Sequence, residues 1–280
     1  MANAVQPSQT AVRQTRSDAP FLLGLSLIAV LYVGLIVAMV AADAAFTSPR
    51  NLWRALASAE IRYAIKLSLI SCSIAAILSL WVAVPTGYLM SRHRFPGRGL
   101  VDAILDIPIV LPPLIVGLSL LILFQTPPGL AIQRVIPVTY AIPGVILAQF
   151  AVACAFAVRT MRVAFDQIPT RNEQVALTLG CTRAQAFWLV VLPEARRGML
   201  TALTLAWARS LGEFGPILIF AGATRMRTEV LSTSVFLELS IGNLDAAVAV
   251  SLLMIVAAVL VLLVVRWFGS ESTFGKGMEP

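Results

Sequence analysis

Long apolar runs separated by short polar stretches dominate the chain. Residues 21–42 (FLLGLSLIAVLYVGLIVAMVAA) contain no charge, and Ser26 is their one clearly polar member. A helix of that length spans ~33 Å, enough to cross ~30 Å of hydrocarbon. It exceeds the apolar core of about 7–15 residues in a cleavable signal, so it reads as a retained first span. Five further runs lie near 67–90, 104–124, 141–158, 199–221 and 244–265. Pro85, Pro108, Pro112, Pro113, Pro143 and Pro216 interrupt the second to fifth. Prolines are tolerated in membrane helices where neighbours re-satisfy the freed backbone groups. A barrel would instead need strands of about ten alternating residues. The pattern predicts an all-α polytopic membrane protein with about six transmembrane helices.

Composition narrows the class. Of 280 residues, 59% are hydrophobic and 12% charged, and mean hydropathy is +0.87. A soluble domain carries about 25% charged residues, so a water-soluble globule and a disordered chain are both excluded. The net charge of +7 would raise nucleic acid as a partner in a soluble protein. Here the basic residues sit in short loops between apolar runs, where they set topology, and no nucleic-acid partner is expected. Counted by side, 13 Lys and Arg fall with the two tails and the 91–103 and 159–198 loops, against 6 on the other side. The richer side is expected to be cytoplasmic, with both termini there. The organisation expected is a tail over 1–19, a membrane domain over 20–268 and a tail over 269–280. His93 is the single histidine and the three cysteines form no CxxC pair, so neither a metal nor a cofactor site is expected in this chain.

The 159–198 loop is the longest polar connection on the basic side, and loops this long are usually functional or structured. Thr170–Glu173 and Thr182–Gln185 each fit a capping box, Gly180 lies between them, and Pro193 follows. This predicts two short helices, roughly 171–179 and 183–191, joined at Gly180-Cys181 and ended by Pro193. Val175, Ala176 and Leu179 give the first an apolar face; Phe187, Val190 and Val191 give one to the second. Such faces pack either on the chain's own helix ends or in a partner's groove.

The stretch Gln174-Val175-Ala176-Leu177-Thr178-Leu179-Gly180, nine residues, then Val190-Val191-Leu192-Pro193 resembles the EAA loop of ABC importer permeases. Gln174 stands at that pattern's Glu and Glu173 one residue early. Asp102-Ala103-Ile104-Leu105-Asp106-Ile107-Pro108 with Leu111-Pro112-Pro113, and Ala208-Arg209-Ser210-Leu211-Gly212-Glu213-Phe214-Gly215, are similar to the molybdate, tungstate and sulfate branch. The likeness covers roughly 61–267. It implies a homodimer or paired permease working with a cytoplasmic ABC ATPase dimer and an extracytoplasmic substrate-binding protein. It implies ATP-Mg in the ATPase alone, and import of an oxyanion by alternating access. The contacting segment would be about 172–186. The residues implied for the coupling loop are Glu173, Gln174, Val175, Ala176, Leu179, Gly180, Arg183 and Pro193. Related permeases carry iron, thiamine or polyamines, so the substrate stays open.

Arg209 and Glu213 lie inside the fifth run at i and i+4, where they can pair on one helix face. A charge at the bilayer centre costs roughly 2.5–3.5 kcal/mol, so both should face protein or a water-filled path. They read equally as a structural pair or as a pore or gate element. Gly212, Gly215 and Pro216 beside them permit close packing and a kink. Asp102 and Asp106 read as carboxylates favoured near a helix N-terminus. No GxxxxGK[ST] phosphate loop occurs, so energy is expected from a partner or from an ion gradient. An ion-driven secondary transporter is therefore the alternative.

Overall fold

The computed structural model describes residues 19–270, and the bulk of both expected tails lies outside the described residues. Every regular element among the described residues is helical. The chain divides into two bodies at Phe46. The first is α1 (Ala19–Phe46), the expected first span, about 42 Å long. The second opens with α2 (Pro49–Ala57), capped by the Ser48 hydroxyl, which accepts from the Asn51 N–H at 3.3 Å.

The centre of the second body is the pair α3 (Ala59–Arg92) and α7 (Ile142–Asp166). Along α3, Ala64, Ser68, Ser71, Ala75, Ser79, Ala83 and Gly87 are buried, one small residue per turn. Gly144, Ala148, Val152 and Ala155 answer from α7. In a bilayer, lipid tails are as apolar as Leu, so helices associate through close backbone approach, and small residues allow it. At Gly87 the fit is complete: a Cβ there would lie 2.9 Å from the Met161 Cβ.

Between these two helices the chain forms α4 (Arg98–Val110), α5 (Pro113–Leu123) and α6 (Pro127–Val135). The expected span at 104–124 is built from two helices: α4 and α5 meet at 112°. Leu111 is extended before Pro112, and neither Pro112 nor Pro113 can donate to a continuing helix. The expected span at 199–221 is also interrupted. It consists of α11 (Arg196–Leu211) and the short α12 (Gly215–Phe220), with non-helical backbone at 212–214. Pro216 removes the N–H that would continue the helix. After α13 (Leu231–Ser240), α14 (Leu244–Ser270) supplies the last long span, close to the expected 244–265. Among the described residues, four helices are long and apolar enough to cross a membrane, or five with the bent pair counted as one crossing. The expected count of about six transmembrane helices is not confirmed by these lengths.

Candidate functional site

Two regions concentrate the unusual features. The first is the loop after α7. It contains α8 (Thr170–Thr178), then α9 (Arg183–Ala186) running through wide π-type turns at Phe187–Val191 into α10 (Leu192–Glu194). The turn between α8 and α9 is as expected. Gly180 has φ of +91°, and the Cys181 N–H reaches back to the Ala176 carbonyl at 3.1 Å. The second capping box also forms: Gln185 N–H meets Thr182 Oγ1 at 3.3 Å, and Thr182 N–H meets Gln185 Oε1 at 2.8 Å.

The first capping box does not form. The N-cap position of α8 is Pro169, without a side-chain bond. The Glu173 carboxylate turns inward instead and accepts from the Tyr88 hydroxyl of α3 at 2.7 Å, with Arg92 Nε at 3.7 Å. A charge-assisted bond to a tertiary partner outweighs a local cap. Arg92 also donates to the Ile168 carbonyl at 2.8 Å, so this arginine ties the loop as well as carrying topology charge. Tyr88 packs edge-on against Phe165 and Phe187, at 5.7 and 4.8 Å between ring centroids. Across the loop, the Asn172 amide donates to both Glu194 oxygens at 3.1 and 3.0 Å. Pro193 does not end the second segment. The wide turns before it let the Leu192 N–H reach Phe187, and the chain stays helical to Glu194.

The apolar faces divide between the two fates open to them. Ala176, Ala186 and Val191 are buried against the chain's own helices. Val175 and Leu179 remain outside, Leu179 at 80% exposure, beside the exposed Gln174, Gly180 and Arg183. Trp188 and Leu189, exposed at 64% and 69%, extend the apolar surface of the loop. Sequence reasoning missed them, although two adjacent large apolar residues in a short amphipathic helix were a visible signal.

The second region is where the two helix breaks meet. Arg209 lies about 20 Å along α11 from Arg196, deep within an apolar setting. Its Nη1 is 2.5 Å from Glu213 Oε1, so the expected i, i+4 pair forms. The two partners differ in access: the Glu213 side chain is 1% exposed and the Arg209 side chain 28%. Arg209 borders a cavity of about 410 Å³ lined by Pro112, Pro113, Leu114, Gly212, Glu213, Phe214 and Gly215. Its guanidinium carbon stands 5.6 Å from the Phe156 ring centroid. Surrounding groups hold the break open. Ser232 Oγ donates to the Glu213 carbonyl at 2.6 Å, and the buried Gln149 amide donates to the Ser210 carbonyl at 3.3 Å.

The glycines here are not equivalent. A Cβ at Gly215 would come within 3.0 Å of the Leu114 N, and one at Gly117 within 2.7 Å of the Pro216 Cα. At Gly212 nothing lies nearer than 3.9 Å, so of the two glycines expected to permit close packing only Gly215 does so.

Asp102 and Asp106 do not act as helix-terminal charges. They bridge α4 to α7, Asp106 to Arg159 at 2.7 Å and Asp102 to Arg162. Among the described residues no group of three His, Cys, Asp or Glu is arranged to hold a metal.

A helical membrane chain with a structured polar loop on one side and two broken helices meeting inside is built as the membrane subunit of a transporter. The family described as binding-protein-dependent transport system inner membrane component matches residues 79–270, and the chain belongs to that family, the multi-pass inner-membrane permeases of ABC importers. It is 33% identical over 227 residues to the sulfate transport system permease protein CysT of Salmonella typhimurium, covering 80% of this chain and 81% of that protein. It is 34% identical over 224 residues to a probable molybdenum ABC transporter permease of Haloferax volcanii, again 80% and 81%. With the molybdenum transport system permease protein ModB of Escherichia coli K12 it shares 31% over 215 residues, 75% of this chain and 93% of that one. In fold it matches a chain of the bacterial alginate ABC transporter at TM-score 0.71 and 17% identity, covering 93% and 96%. It matches a chain of the MetNI methionine ABC transporter at TM-score 0.64 and 19% identity, covering 81% and 100%.

Proposed function

We propose that this chain is the oxyanion-conducting permease of an ATP-driven importer, for molybdate or tungstate ahead of sulfate, with energy delivered through residues 172–186. The chain pairs with a second permease, two cytoplasmic ATPase subunits and an extracytoplasmic binding protein. ATP-Mg is held and hydrolysed in the ATPase, not in this chain. If each interrupted stretch counts as one crossing, six crossings place both termini and the coupling loop in the cytoplasm, in accord with the bias of basic residues.

The observation that carries this reading is the construction of the loop. Val175, Leu179, Gly180 and Arg183 of α8 and the turn into α9 are exposed, while α8 is fastened inward through Glu173 to Tyr88 and Arg92. A surface that docks and a root that is anchored are what transmission of a push requires. Closure of an ATPase dimer against α8 would move α3 and α7 with it. The oxyanion assignment is supported by the sulfate and molybdenum permeases among the relatives.

The test is purification of the tagged chain from its native membrane in mild detergent, with the co-purified binding protein titrated with molybdate, tungstate and sulfate. A stoichiometric ATPase carrying a phosphate loop, and a binding protein saturating with one of these anions, are expected. Recovery without an ATPase would contradict the coupling role. A binding protein that takes none of the three would contradict the substrate class.

A further inference from the structure

We infer that Arg209 is the binding group for the oxyanion at the break in α11–α12, and that the Glu213 carboxylate occupies its guanidinium when no anion is present. The inference rests on the reading that this chain conducts an oxyanion. It names the residue that receives the anion inside the membrane domain.

The geometry carries it in three steps. Among the described residues, Arg209 and Glu213 are the only charged ones that line the cavity between the two helix breaks; the rest of the wall is proline, glycine, Leu114 and Phe214. A tetrahedral oxyanion entering that wall has one cation to meet. The pair is also asymmetric. The Glu213 side chain is 1% exposed, whereas Arg209 keeps 28% of its side chain open. The half of the pair that can bind an anion is the half that faces the space. Finally, the chemistry matches. A guanidinium offers several N–H donors in a planar fork, suited to two oxygens of a carboxylate or of a tetrahedral oxyanion alike. Glu213 Oε1 already lies 2.5 Å from the guanidinium as its ion-pair partner, so it stands where an anion's oxygen would sit.

The exchange has a functional consequence. The carboxylate neutralises Arg209 between transport events and competes with the anion, so the passing anion is held weakly enough to leave.

The test uses the assembled transporter, with its ATPase, in two formats: radiolabelled molybdate and sulfate bound to the complex without binding protein, and ATP-driven uptake in proteoliposomes with it. Glu213→Gln removes the competitor and keeps Arg209; it should hold about tenfold more label than wild type, the scale of one charged hydrogen-bonding competitor. Arg209→Gln with Glu213→Gln removes the cation without stranding a buried carboxylate. It should hold no label above background and lose at least about tenfold in uptake, with binding-protein-stimulated ATP hydrolysis retained. Equal label on the two variants, or wild-type uptake by the double variant, would overturn the inference. If the double variant does not assemble, the label on Glu213→Gln relative to wild type decides alone, and no increase overturns it. Absence of oxyanion uptake by the wild-type complex is a different result: it would contradict the proposed function itself.

Discussion

At the scale of single residues, the consequential finding is where Glu173 sends its carboxylate. The sequence offers it a local partner, the N-cap of its own helix, and the spacing fits. The fold offers Tyr88, 85 residues away in sequence, and the tertiary bond forms. Nothing in the spacing of 170–173 encodes that choice, because it depends on α3 ending beside α8. Arg209 and Glu213 were legible for the opposite reason: their partner geometry is local, four residues along one helix. Tyr88→Phe deletes the hydroxyl while keeping the ring against Phe165 and Phe187. We expect a loss of about 1 kcal/mol in stability. Because the docking face is untouched, ATPase should still co-purify, but uptake per ATP hydrolysed should fall. Unchanged coupling in a reconstituted assay would mean that the Glu173–Tyr88 tie transmits nothing.

At the scale of elements, the positions of long helices followed from hydropathy, and their continuity did not. The runs at 104–124 and 199–221 are apolar enough to read as spans, yet both break at prolines. Elsewhere proline is absorbed: Pro85 sits inside the uninterrupted α3. Pairing is the physical difference. Pro112 and Pro113 remove two successive donors, and Pro216 follows two glycines in five residues. The breaks also pack against each other, which no single run reveals. Gly117→Ala should therefore be costly, since its Cβ would meet the Pro216 backbone at 2.7 Å, whereas Gly212→Ala should be nearly neutral for folding. We expect Gly117→Ala to lose about 1–3 kcal/mol, read as a lower midpoint in thermal unfolding of the detergent-solubilised complex. Equal midpoints for the two variants would contradict the close crossing of α5 and α12.

Gly180 gives a second test at this scale. A Cβ there would meet nothing within 4 Å, so bulk is tolerated by the chain itself, and only the φ of +91° is costly. Gly180→Ala should lose about 1–2 kcal/mol from the turn and retain the ATPase. Gly180→Arg bears the same backbone cost and adds a long cation to the docking face, so it should abolish co-purification. Equal ATPase recovery with Ala and Arg would show that this face is not the one contacted.

For the molecule as a whole, class was the most legible property: charge at 12% and hydrophobic content at 59% leave few alternatives to a polytopic membrane chain. The loop pattern then pointed to the permease family, which the match over 79–270 establishes. The number of crossings was the least legible property, because hydropathy counts runs while the fold decides which runs stay straight. In the proposed mechanism two regions act together, an anchored loop that receives force and a pair of helix breaks that flank the half-buried Arg209. The most direct test is uptake of radiolabelled molybdate and sulfate into proteoliposomes holding the whole transporter and its binding protein, with ATP inside or absent and with or without an imposed ion gradient. The account predicts uptake that requires ATP on the loop side, ignores the gradient and disappears with Gly180→Arg. Uptake driven by the gradient without ATP, or undiminished by Gly180→Arg, would contradict it.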